Sequence, residues 1–148
     1  FIGFFFLTSN LAFALEIKPF GIELGKKLEV EFIEELGSWK KIVPPITNSN
    51  FKEYYVLVSP YSHIAMSLEA RGDEKLQTLT CMDLYKKLAK ILIKKYDLDV
   101  YTESEHFGYE TKLISKDLNI NISCVTHNIG GNTYKVSRII YIYCKMRN

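Results

Sequence analysis

CMDLYKKLAKILIKKY, residues 81–96, is the stretch whose reading organises the chain. Leu84, Leu88, Ile91 and Leu92 recur at helical spacing, with Tyr85 and Tyr96 beside them. Lys86, Lys87, Lys90 and Lys94 share the opposite side. The spacing predicts an amphipathic helix with one buried face, and it puts Cys81 on that face at the helix start. Thr78 or Thr80 suits the N-cap, Asp83 the positive end and Lys94-Lys95 the negative end. The lysine side reads as a solvated back.

Three strands are expected after this helix. Asp97–Glu105 reads as a polar connection. The strands are placed at Phe107–Ser115, Asn119–His127 and Thr133–Met146. Ile120, Ile122 and Cys124 share one face of the second, and Gly130-Gly131 lies in a hairpin loop. Ile139–Tyr143 is apolar on both faces, which predicts a central strand covered on both sides.

Before the helix, Leu15–Leu24 reads as a short strand and turn, and Gly25–Leu36 as a second helix. In that segment Leu28, Phe32 and Leu36 lie four apart, and Gly37 is a natural stop. Trp39, Ile42 and Val43 make a short strand ended by Pro44-Pro45. Glu53–Ser59 and Ser62–Arg71 form the clearest hairpin. In its second arm Ile64, Met66, Leu68 and Ala70 are expected to face the core. The expected class is α+β: an antiparallel sheet of five to six strands with two helices on one face, in the order β-α-β-β-β-α-β-β-β.

Composition narrows the partners. The chain has 148 residues, 47% of them hydrophobic and 14% aromatic, which is enough for one packed domain. Its formal charge is +2, with acids and bases interspersed, so no nucleic-acid partner is expected. Residues 1–14, FIGFFFLTSNLAFA, carry no charge and end in Ala12-Phe13-Ala14. They read as the apolar core and cleavage site of a signal peptide whose basic start precedes Phe1. Residues 15–148 would then form a single exported domain. Leu15 stands where a lipoprotein needs Cys, so no stable membrane anchor is expected.

Three cysteines in an oxidising compartment give one pair and one free thiol. Cys81 and Cys124 both face the helix–sheet interface and are the leading pair. Cys81–Cys144 and Cys124–Cys144 are the alternatives. No catalytic residue, cofactor or metal is assigned. Cys124 and His127 lie three apart on a strand and point to opposite faces. His106 with Glu103 and Glu105 reads as a solvated loop. An enzyme would need a cleft uniting His63, His106 or His127 with carboxylates. Tyr54, Tyr55 and Tyr61, with His63, cluster on the first hairpin and are the candidate binding surface.

Phe20-Gly-Ile-Glu-Leu-Gly25, followed by the expected helix and meander, resembles the start of small exported bacterial domains. The outer-membrane assembly-factor lipoproteins and the β-lactamase inhibitor proteins share that plan. The missing lipoprotein Cys departs from the first of these, and no binding residue of either carries over. The resemblance implies a periplasmic binding or inhibitory module. The expected function is thus an exported protein that binds or inhibits an envelope or secreted protein. The alternative is a small-molecule or lipid binder with an apolar pocket between helices and sheet.

Overall fold

The computed structural model describes residues 17–73, 80–104 and 108–144. Residues 1–14 and His106 lie outside that range. Among the described residues, eight antiparallel strands form one sheet, and a single α-helix joins its halves. The strands are β1 (Phe32–Leu36), β2 (Trp39–Ile42), β3 (Glu53–Val58), β4 (Ala65–Asp73), β5 (Asp99–Ser104), β6 (Gly108–Ile114), β7 (Leu118–Ile129) and β8 (Asn132–Tyr143). The helix, α1, is Cys81–Tyr96 and lies between β4 and β5. Their spatial order is β1-β2-β3-β4-β8-β7-β6-β5. Two four-stranded meanders are therefore joined through the β4·β8 pair. This corrects the expected two helices over five or six strands.

The missing helix is the main correction. Residues 32–36 of the expected Gly25–Leu36 helix are β1, and every one of them is exposed. Four-residue spacing of Leu28, Phe32 and Leu36 suited a helix, but β2 offers a stronger fit. Gly37-Ser38 is a two-residue hairpin turn, with Gly37 at φ +65°, and it pairs Leu36 with Trp39. Glu35 then faces Lys40 and Glu34 faces Lys41 across the pair, with Lys40 Nζ 3.6 Å from Glu35. The second addition is β5, expected as a polar connection. Its acids and hydroxyls suit an edge strand, and seven-residue β6 supplies the ladder that its composition does not advertise.

Helix α1 forms where its period says. Thr80 caps it, its hydroxyl accepting from the Asp83 N–H and donating to the Asp83 carboxylate at 2.7 Å. Asp97, in the left-handed region, ends it. Cys81, Leu84, Leu92 and Tyr96 are buried, while Ile91 turns to solvent. The Tyr85 hydroxyl bonds the Thr111 hydroxyl on β6. Cys81 is disulfide-bonded to Cys124 on β7, and Cys144 is free. The bridge and the helix stripe fix the second meander beneath α1.

The first meander is covered differently. In place of a helix, residues 17–30 cross it as an irregular strap with a 3₁₀ turn at Pro19–Gly21. Gly25 N–H donates to Ala65 O, Ala65 N–H to Lys26 O, and Leu28 N–H to His63 O. Phe20 sets its ring edge-on against Phe51, Tyr54 and Tyr141. Beneath strap and helix lies one core containing Val56, Leu68, Leu113, Ile120, Ile122 and Ile139. A bulge opposite Val58 skips Met66, so Ala65 rather than Met66 shares the core face with Leu68 and Ala70.

Gly25 has no room for a side chain. It sits at φ +85°, and a Cβ there would lie 2.6 Å from the Tyr143 ring. Gly25→Ala is expected to cost about 1–3 kcal/mol. Urea unfolding of the variant measures this, and an unchanged midpoint would mean the strap does not hold this geometry.

Candidate functional site

Strand alternation gives the sheet two unlike faces. One is the face covered by α1 and the strap. No element among the described residues packs on the other. On that open face the pairing registers align side chains into cross-strand rows. The first row runs Leu36, Trp39, Leu57, Ser67, Ile142, Asn119, Ile114. The second runs Glu34, Lys41, Tyr55, Glu69, Ile140, Asn121, Lys112. The third runs Glu53, Arg71, Arg138, Ser123, Glu110. An apolar row thus borders a charged centre.

That centre is built around Glu69. Its side chain is only 8% exposed, shielded by its neighbours in the rows. Arg71 Nε donates to Glu69 Oε2 at 2.7 Å, and Arg71 Nη2 lies 2.7 Å from the same oxygen. Arg138 Nε stands 3.3 Å from Oε1, out of line for a hydrogen bond. The guanidinium of Arg71 also lies 4.8 Å above the Tyr55 ring centre. The Tyr55 hydroxyl donates to Glu53 at 2.9 Å, and Lys41 lies 3.8 Å from the same carboxylate. One buried carboxylate therefore aligns two arginines that remain 41% and 35% exposed. Asn121 Nδ2 donates to Glu110, while Asn121 Oδ1 is buried with no hydrogen-bond partner among the described residues.

The four residues read as a binding surface do not lie on one face. Tyr54 is buried on the covered face, its hydroxyl accepting from the Asn48 N–H at 2.9 Å. Tyr55 is on the open face, half a pleat away. Tyr61 (97% exposed) and His63 stand in the β3–β4 loop. His63 shares a small cleft with Gly37 and Ser38, so this loop borders the end of the sheet nearest the apolar row. His127 is placed on β7. Among the described residues no three of His, Cys, Asp and Glu converge to hold a metal.

Trp39, Leu57, Glu69, Arg71, Arg138, Ile140 and Ile142 are the additions. Glu69 and Arg71 read as a solvated face, and Ile140 and Ile142 as buried beneath a second layer. Arg138, a cation inside an apolar strand, was the available signal that one face of β8 is wet. Clefts of about 430 and 410 Å³ lie along the strap and beside β1.

The tyrosines carry a pH signature. Burial raises the hydroxyls of Tyr54 and Tyr141 above the ordinary tyrosine value, Tyr141 strongly. Tyr55 is raised by burial first, then by Glu53 and Glu34, with Arg71 opposing. In the unfolded chain tyrosine ionises near pH ~10. Raised values in the fold mean their stability contribution is whole below that pH and is lost as pH climbs above it. Stability should therefore fall steeply above about pH 10, and Tyr141→Phe should flatten the fall. Unfolding midpoints measured across alkaline pH test this; equal slopes for parent and variant would contradict it.

Comparison with protein-family models, curated proteins and solved structures finds no match, so the reading of the site stands on its own geometry.

Proposed function

We propose that this chain is an exported binding module of the bacterial envelope that holds another protein against the open face of its sheet. The observation that carries the proposal is the residue set at the centre of that face. Trp39, Arg71 and Arg138 are of residue types that dominate binding energy at protein interfaces, and the buried Tyr55 ring backs Arg71. Glu69 holds the arginines in place before any partner arrives, which lowers the entropic cost of ordering them. The flanking apolar row supplies area to bury.

Two further observations support export. The Cys81–Cys124 disulfide suits an oxidising compartment. The uncharged residues 1–14 have the character of a signal peptide. No helix among the described residues is long and apolar enough to cross a membrane. Inhibition of a secreted or envelope protein is one use of such a face, and accessory binding is another.

Photo-crosslinking in cells tests the proposal. Ile140 on the open face, or Lys87 on the solvated side of α1, is replaced by a photoreactive amino acid in the full chain. A discrete crosslinked protein through position 140 and none through 87 is expected. Equal labelling at both positions, or none at either, would defeat the proposal.

A further inference from the structure

A second surface lies at the sheet's edge. Strand β1 is terminal, and no strand pairs with its outer side among the described residues. All five of its residues are exposed. Phe32, Ile33 and Leu36 on β1, with Val43 and Ile46 just after β2, concentrate exposed large apolar side chains in one stretch. Beside β1 opens a cleft of about 410 Å³; its apolar wall is Ile33, Ile42, Val43, Phe51 and Tyr54, and Lys41, Lys52 and Glu53 stand at its polar side. An edge that only guarded against aggregation would be polar on both faces; this one keeps apolar side chains in water.

Charge selects the occupant. Glu31, Glu34 and Glu35 line the edge, and only Glu35 has an ion pair, to Lys40, among the described residues. A second copy pairing β1 with β1 would set these glutamates against one another. Pairing β1 with β5 would bring them against a strand that begins with Asp99. Both arrangements repel. A segment alternating basic and apolar residues meets the opposite situation: its cations face Glu31 and Glu34, and an apolar side chain can enter the cleft.

We infer that β1 accepts an extended segment of a partner protein, with alternating basic and apolar residues, as a ninth strand. The added strand would carry the open-face rows one position beyond Glu34 and Leu36. The inference stands on the edge itself and holds whether or not a protein docks on the face. Alternation also says which backbone group matters. The pair flanking a two-residue turn, Leu36 and Trp39, exchanges its bonds within the hairpin, so the neighbouring Glu35 N–H points outward.

Panning phage-displayed random peptides on the full chain tests this. Enriched peptides are expected to alternate Lys or Arg with Val, Ile, Leu or Phe. Glu35→Pro removes the outward donor, and binding of those peptides should fall about tenfold, the equivalent of one main-chain hydrogen bond at about 1.4 kcal/mol. Glu34→Lys leaves the backbone intact and should weaken them and flatten their salt dependence. Urea unfolding of both variants controls for folding, and Glu34→Lys remains decisive if the proline disturbs the hairpin. No enrichment, acidic or patternless peptides, or undiminished binding to Glu34→Lys would overturn the inference. Loss of position-140 crosslinking with peptide binding intact would fault the open-face proposal alone.

Discussion

Replacing both Cys81 and Cys124 with alanine is expected to lower the unfolding free energy by about 4 kcal/mol. The bridge joins residues 43 apart, and closing a loop of that length in the unfolded chain removes that much conformational freedom in the chain-entropy model. Alanine avoids leaving a hydroxyl without a partner at two sites that are 0% and 3% exposed. The bridge matters more here than in a two-layer fold with many helices. Helix α1 is the single helix of the described chain, and its buried stripe rests on β6, β7 and β8. Losing the bridge loosens the cover of the second meander, whereas the strap over β3 and β4 is untouched. Urea unfolding of parent and variant gives the difference. Thiol counting supplies an independent check. Denatured without reductant, the parent should show one reactive thiol, Cys144. Three would contradict the bridge.

Replacing Glu69 with glutamine is expected to cost about 1–3 kcal/mol. Arg71 and Arg138 are directly opposed across β4 and β8, and like charges so placed repel. Among the described residues, Glu69 is the carboxylate within ion-pair distance of both. Removing one member of a fully buried pair costs about 3–5 kcal/mol, and the partial exposure of both arginines reduces that figure. The loss should shrink when Arg138→Leu is already present, since one guanidinium then remains and finds water. Unfolding of the two single variants and the double variant closes the cycle. Independent, additive losses would mean that the three side chains do not form one cluster.

Much of this fold can be read from side-chain period, and the exceptions share a cause. Helix α1, the β3–β4 hairpin, the Gly130-Gly131 turn and the Cys81–Cys124 pairing all follow from patterns strong within their own segments. Strands β1 and β5 do not. Both are edge strands, charged and poorly alternating, and each takes its conformation from the single strand beside it. For β1 a local signal existed in Gly37-Ser38, a two-residue hairpin turn between FIEEL and WKKI.

The open face was hidden by a related ambiguity. Ile139 to Tyr143 is apolar at every position, which suits burial on both sides or one wet face carrying isoleucine. Arg138 favours the second. Glu69 and Arg71, solvated charges when β4 is read alone, become a cluster only when β8 brings Arg138 alongside. Similarly, Tyr54 and Tyr55 could not act together, because adjacent strand residues point to opposite faces.

The unlike faces of the sheet can be measured at one pair of neighbours, Ile139 and Ile140. Isoleucine methyl resonances are recorded by NMR with and without a soluble paramagnetic agent. The methyls of Ile140, and of Ile114 and Ile142 on the same face, should broaden strongly, while those of Ile139, Ile120 and Ile122 should not. Ile140 and Ile142 as protected as Ile139 in the free protein would contradict an open binding face.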